Sequence, residues 1–231
     1  GLKEEDGYTQ YETLYYNPQP QASFTVMDQT TGYVKAIVGG RGKKNVSLSL
    51  NRATNSKRQP GSTFKVLSTY APAIDTMGYT LTTTIVDEPY SYSSGRPVEN
   101  WNHTYKGTVT VKQAIAQSMN VCAVKTLTAI TPQLGYDYLL NFGITTLVDN
   151  RVEKDGSISS DINQPLALGG ITDGVTNLEM TAAYASIANT GKYTKPVFYS
   201  QVIDSNGRII LDNTTPNTKT ILKDSTAYLL T

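Results

Sequence analysis

Apolar and polar positions change period along the chain, and each change marks an element. Ala22–Met27 and Tyr33–Val38 are two short runs rich in β-branched and aromatic residues, separated by Asp28-Gln-Thr-Thr-Gly32. That pattern predicts a β-hairpin, stopped by Gly39-Gly40. Residues 41–61 are polar and without period. Phe64, Leu67, Ala71 and Ile74 then recur at three- and four-residue spacing, which predicts a helix from Ser62 to Ile74 with one apolar face. Pro72 lies inside it and is expected to kink or shorten it. Residues 79–106, rich in Tyr and Ser, read as a long loop with one short strand, and a loop of that length is commonly functional.

Helices follow. Thr110-Val-Lys-Gln113 is a capping box that opens a helix through Ala114, Ile115 and Ala116. The pattern breaks at Ser118-Met-Asn120 and resumes over Val121–Ile130. Thr131-Pro132 starts a third helix, which ends at Phe142 with Gly143 as its stop. Thr176-Asn-Leu-Glu179 is a second capping box, with a helix to Asn189. Val197–Asp204 and Arg208–Leu211 read as strands joined at Asn206-Gly207, and Asp224–Thr231 as a last helix. Residues 1–20 are polar, end in Asn-Pro-Gln-Pro, and read as a lead-in; residues 21–231 read as one domain. Strands at both ends with helices between them predict an α+β fold rather than repeating βαβ units.

Composition narrows the chemistry. The chain has 231 residues, 39% apolar and 17% charged, with a net charge of +1. It is therefore globular, and it has no basic stripe beyond Lys43-Lys44 and Lys57-Arg58 to support nucleic-acid binding. One cysteine, Cys122, and one histidine, His103, exclude an internal disulfide and argue against a His/Cys metal site. His103 sits in a polar stretch, Asn-Trp-Asn-His-Thr-Tyr, which disfavours a Ser-His-Asp triad. No apolar run approaches the ~20 residues of a membrane span.

Within this frame Gln59-Pro-Gly-Ser-Thr-Phe-Lys65 stands out. A serine at a helix N-terminus is ordinarily a cap. Chance alone gives roughly one Ser-x-x-Lys at ordinary residue frequencies in a chain of this length. Yet Ser62 and Lys65 fall on one helix face, and burial of that helix would desolvate Lys65, lower its pKa and make its amine a base. The unsatisfied N–H groups of the helix N-terminus favour negative charge developing at Ser62. Downstream, Ser118-Met-Asn120 places a hydroxyl and a carboxamide at a helix break, where they could relay a proton and hold a substrate amide; the plainer reading is a loop satisfying its own backbone. Ser49-Leu-Asn51 has the same form but precedes Ser62, and is read as chance.

The stretch Asn51-Arg-Ala-Thr-Asn-Ser-Lys-Arg-Gln-Pro-Gly-Ser-Thr-Phe-Lys65 resembles the active-site serine region of penicillin-binding proteins, and its second half resembles the class A, bifunctional enzymes. The resemblance extends over the Ala22–Gly40 hairpin, Asn102 to Val124, Gly169-Gly170, the Thr176–Asn189 helix and Lys195-Pro196. It implies the penicillin-binding protein/serine β-lactamase-like fold, a helical region beside an antiparallel sheet, and D,D-transpeptidase activity. By the family pattern Ser62 attacks D-Ala-D-Ala of a peptidoglycan stem peptide, Lys65 takes its proton, Ser118 relays a proton to the leaving D-Ala, and Asn120 binds the substrate amide. β-Lactams would trap the acyl stage. No metal or cofactor is implied, and the parent protein is expected at the extracytoplasmic face of the membrane, with an anchor outside this chain. These roles require the four residues to converge, with Lys65 and Ser118 in hydrogen-bond or one-water reach of the Ser62 hydroxyl.

The third family motif, Lys-Thr-Gly, is absent; Thr190-Gly-Lys192 has the residues in another order. The expectation is therefore a partial domain, less reactive with penicillin than a longer chain, whose hairpin shows an unpaired apolar edge. Three alternatives differ in kind: a serine β-lactamase, disfavoured by Met119 between Ser118 and Asn120 and by the lack of a following Glu-x-x-x-Asn; a penicillin-sensing receptor domain; and an inactive structural piece.

Overall fold

The computed structural model describes residues 19–231 together with the backbone of two short strands, Lys3–Glu5 and Tyr8–Gln10, which pair antiparallel. The lead-in expected at 1–20 otherwise lies outside the described residues. The architecture is α+β. Its helices are α1 (Arg52–Asn55), α2 (Ala71–Thr76), α3 (Val111–Ala116), α4 (Asn120–Ile130), α5 (Pro132–Asn141), α6 (Asn177–Ala188) and α7 (Asp224–Leu230). The described strands form only two-stranded antiparallel sheets. None of the described helices is long and apolar enough to cross a membrane.

Helix α4 is the centre. Val121, Cys122, Ala123, Val124, Leu127 and Ile130 are all buried and only Thr128 and Ala129 are exposed, so most of its circumference is apolar and meets protein. Around it pack the 61–76 helix, α5, the 3-10 turn Gln164–Leu168 and the strand Thr84–Asp87. The predicted helix at Ser62–Ile74 is present but not uniform. It opens as a 3-10 turn at Gly61–Thr63 and widens to a π-turn at Val66–Tyr70, where the Ala71 N–H donates to the Val66 carbonyl, before continuing as α2. Pro72 has no N–H to donate back to the Ser68 carbonyl, and the wider turn precedes it. Helix α5 comes close here. A Cβ on Gly135 would lie 2.4 Å from the Ser68 carbonyl oxygen, so only glycine fits. At the far end Asp75 accepts from Tyr138 Oη at 2.6 Å and from the Lys223 backbone N–H at 2.9 Å, tying α2 to α5 and α7.

Both capping boxes form. Thr110 Oγ1 accepts from Gln113 N–H while the Gln113 side chain accepts from Thr110 N–H, and Thr176 and Glu179 do the same. The hairpin pairs Phe24–Met27 with Val34–Val38. Thr25 faces α6 and donates to Asn177 at 2.7 Å, while Phe24, Val26 and Val38 are exposed on the opposite face. Among the described residues the two hairpin strands form a ladder only with each other, but the edge is not wholly unpaired, because Val197 bridges Tyr33 in parallel and accepts from Val34 N–H at 2.9 Å.

Three expectations need correction, and one pairing is new. The 79–106 segment is no simple loop: Thr84–Asp87 pairs with Gly107–Thr110, and Tyr90–Ser91 with Pro97–Val98. Such short strands, partly polar, carry too few residues for a period to show. Helix α4 starts at Asn120, not Val121. The strand expected at Val197–Asp204 begins only at Gln201, because Val197 instead bonds in parallel to Gly32 and Val34. Lys192–Thr194 pairs with Thr218–Thr220, a contact no local pattern announces.

Gly135→Ala is expected to destabilise the protein by roughly 1–3 kcal/mol, the usual cost of overpacking, measured as a lower urea midpoint at unchanged slope.

Candidate active site

The turn before Ser62 is held from outside its own segment. Arg58 and Val175 exchange backbone hydrogen bonds at 2.9 Å each. The Gln59 carboxamide pairs both ways with Ile171: its oxygen accepts from the Ile171 N–H at 3.0 Å and its NH2 donates to the Ile171 carbonyl. Gly169 has φ +72°, and a Cβ there would lie 2.5 Å from the backbone N and O of Gly61. Thr63 Oγ1 donates to the Pro60 carbonyl at 2.6 Å, and Tyr184 Oη on α6 donates to the Thr63 carbonyl at 2.6 Å. Ser62 therefore sits on a backbone fixed at both sides, with an exposed side chain.

Lys65 lies one helical turn on and is only 3% exposed. Its Nζ donates to the Ser118 carbonyl at 2.6 Å, to Ser118 Oγ at 3.0 Å and to Asn120 Oδ1 at 2.6 Å. Three acceptors match the three protons of an ammonium. Burial nevertheless pushes its pKa down to about 8, with the nearby Cys122 thiol acting the other way.

Ser118 is presented by the way α3 ends. Met119 N–H donates to the Ala114 carbonyl and Ser118 N–H to the Ile115 carbonyl, both at 3.0 Å, the two bonds of a Schellman motif. The left-handed position of that motif, usually a glycine, is here Ser118 at φ +52°. The backbone reversal turns its hydroxyl and its carbonyl toward Lys65. Asn120 is the first residue of α4; its side-chain NH2 donates to the Glu99 carbonyl at 2.8 Å, which leaves its oxygen to Lys65. A cavity of about 340 Å3, bordered by Asn100, Trp101, Lys106 and Gln117, opens beside Ser118.

The structure thus brings Lys65, Ser118 and Asn120 into direct contact. Among the described residues the Ser62 hydroxyl forms no hydrogen bond, so the expected reach to it from Lys65 and Ser118 is not realised as a direct contact. His103 is exposed on the 99–103 turn beside Glu99, 2.9 Å from its carboxylate. Asn51, set aside as chance, caps α1 by accepting from Ala53 N–H at 3.0 Å. Sequence reasoning missed Gln59 as a brace, and it missed Asn100 and Asp87, which lie behind Asn120. The length of the 79–106 segment was the one signal that pointed toward them.

A family model described as the penicillin binding protein transpeptidase domain matches residues 22–231. The chain belongs to the penicillin-binding protein transpeptidase family. Penicillin-binding protein 1A of Clostridium tetani is 35% identical over 219 residues, 92% of this chain and 27% of that protein. Penicillin-binding protein 1A of Streptococcus pneumoniae is 35% identical over 221 residues, 94% of this chain and 29% of that protein. The chain thus spans little more than a quarter of these relatives, and its place is with the transpeptidase domain of the class A proteins. The PonA1 protein of Mycobacterium tuberculosis, solved in complex with penicillin V, superposes with a TM-score of 0.73 at 23% identity, over 90% of this chain and 53% of that one, which speaks for the fold. Penicillin-binding protein 1A of Haemophilus influenzae gives 0.67 at 26% identity, over 86% of this chain and 28% of that one.

In this transpeptidase domain Gly169→Ala is expected to strain the turn before Ser62. A side chain at positive φ, pressed against Gly61, should lower the melting temperature and loosen the backbone at Gly61 and Ser62 together, read by calorimetry and by amide exchange at those two residues.

Proposed function

We propose that this domain is a serine D,D-transpeptidase that cross-links peptidoglycan stem peptides and is acylated by β-lactams. The observation that carries the reading is the buried Lys65 amine, set one helical turn from an exposed serine and held by Ser118 and Asn120. A lysine that is desolvated and titrates near neutrality is suited to act as a general base.

In the reaction so read, Ser62 Oγ attacks the carbonyl carbon of the penultimate D-Ala as its proton passes to neutral Lys65. The neutral amine holds only two protons, so its lone pair can take that proton once Nζ turns from Ser118 or Asn120 toward Ser62. The Ser62 backbone N–H, at the start of the helix, faces the developing oxyanion. The C–N bond to the terminal D-Ala breaks as Ser118 passes a proton from Lys65 to the departing amine. One proton of the Asn120 carboxamide is bound to the Glu99 carbonyl, and the other serves the substrate amide. An amine of a second stem peptide then attacks the acyl-enzyme, forms the cross-link and returns the proton to Ser62. No residue of this sequence is assigned to the substrate carboxylate, the role of the third motif. The parent protein is proposed to act at the extracytoplasmic membrane face, alongside a glycosyltransferase.

Penicillin treatment followed by peptide mass spectrometry should find one adduct, on Ser62, lost in Ser62→Ala; an adduct elsewhere overturns the assignment. The second-order acylation rate should climb with pH and level off above about 8, because the neutral amine accumulates as pH rises through the lowered pKa of Lys65. Cys122, the other titratable group acting on it, is pushed up to about 12 by burial and stays neutral over this range. Lys65→Arg, charged at every accessible pH, should acylate no better than Lys65→Ala. An arginine variant within tenfold of wild type, about 1.4 kcal/mol of barrier, would leave Lys65 an electrostatic role alone.

A further inference from the structure

The first turn of α4 has no cap of its own. The residue before it, Met119, is apolar, and no side chain of the α3–α4 break accepts its N–H groups. The acceptor comes from 20 residues upstream: Asn100 Oδ1 takes the Asn120 N–H at 2.9 Å and the Val121 N–H at 3.3 Å. Asn100 is 5% exposed and its NH2 is fully used, donating to Asp87 Oδ1 at 2.8 Å and to the Thr104 carbonyl at 3.0 Å. With two donors and a doubly used acceptor engaged, its amide has a single orientation. Asp87, 1% exposed, is held in turn by the Lys106 backbone N–H on its other oxygen at 2.9 Å. The adjacent Glu99 carbonyl takes the Asn120 side-chain NH2. Residues 99 and 100 thus grip both the backbone and the carboxamide of Asn120, and this grip turns Asn120 Oδ1 toward Lys65.

We propose that Asn100, oriented by Asp87, is a positioning residue of this site: it fixes the first turn of α4 so that the Asn120 carboxamide presents its oxygen to Lys65 and one free N–H to the cleft. It touches neither Ser62 nor substrate and acts only through Asn120. The inference rests on the acyl-transfer reading for its meaning in catalysis, but the geometry it asserts can be tested without turnover.

The primary readout is the titration of Lys65, followed by its Cε resonance in 13C-lysine-labelled protein and assigned by its loss in Lys65→Arg. Asn100→Ala releases Asn120, the ammonium loses an acceptor, and the Lys65 midpoint should fall by about one pH unit, a tenfold change in its proton affinity. Amide exchange at Asn120 and Val121 should quicken in the same variant. Asn100→Ser keeps a polar group in the cavity but is too short for both contacts, and should move the midpoint in the same direction if the alanine variant does not fold. The exchange Asp87→Asn/Asn100→Asp keeps a complementary 87–100 pair and an acceptor at α4, but sets a carboxylate oxygen against the Thr104 carbonyl that Asn100 now serves. It should bring amide protection back only in part and leave the Lys65 midpoint above that of Asn100→Ala. Fluorescent-penicillin labelling should fall at least tenfold in Asn100→Ala and less in the exchange variant. An unmoved Lys65 midpoint in Asn100→Ala or Asn100→Ser overturns the inference, and loss of stability alone would assign Asn100 to anchoring its loop. If wild-type Ser62 takes no label, the acyl-transfer reading fails, while the Lys65 titration still decides the role of Asn100.

Discussion

Everything at this site depends on keeping one amine in the core. Moving an ammonium away from water is costly, and the cost is bearable only where its protons find acceptors or where it can give one up. Both conditions hold at Lys65. Three oxygens, two from Ser118 and one from Asn120, surround it, and burial has brought its pKa to where loss of a proton is easy. The surrounding fold can be read as the set of constraints that supply those oxygens. The 61–76 helix brings the lysine, the end of α3 brings Ser118, the start of α4 brings Asn120, and the 84–110 segment holds Asn120 in orientation.

Two positions near the site leave little choice of residue. Ser118 occupies a left-handed backbone position that most side chains avoid, and Gly169 closes on Gly61 so tightly that no Cβ fits. Strain such as that at Ser118 persists only where neighbouring structure over-determines it. Here the over-determination is visible: a Schellman motif closes α3 around Ser118, while the Gln59–Ile171 and Arg58–Val175 pairings lead the chain into the close approach at Gly169.

What the sequence made legible follows the range of each interaction. The capping boxes at Thr110 and Thr176, the helix carrying Phe64 and Leu67, and the break at Ser118 are local, and a window of a few residues contains their whole cause. Ser62, Lys65, Ser118 and Asn120 were visible as motifs, and the mutual contact of the last three appears in the fold. Asn100 and Asp87 were not visible, because an Asn and an Asp in a polar stretch look like turn residues until a distant helix start is laid against them. The pairing of Lys192–Thr194 with Thr218–Thr220 escaped for the same reason. The direction of the Ser62 hydroxyl is a matter of a rotamer, which no sequence pattern contains.

The π-turn at Val66–Tyr70 sets a helical phase. It accommodates one residue more than an α-helical turn would, and it lies between a front end clamped at Gln59 and a back end clamped at Asp75. With both ends fixed, that extra residue is slack held in a single turn. Losing one residue from 66–70 and relaxing to α geometry would complete the same turn with one residue fewer and leave Ser62 and Lys65 facing much as they do. Any further change of length has no such slack: each residue of an α-helix turns the face by about 100°, enough to swing Lys65 away from Ser118 and Asn120 while the apolar composition of the helix stayed the same. The active face of this domain is thus recorded in a count of residues as much as in their identity, and the π-turn is the one place where that count can change by one.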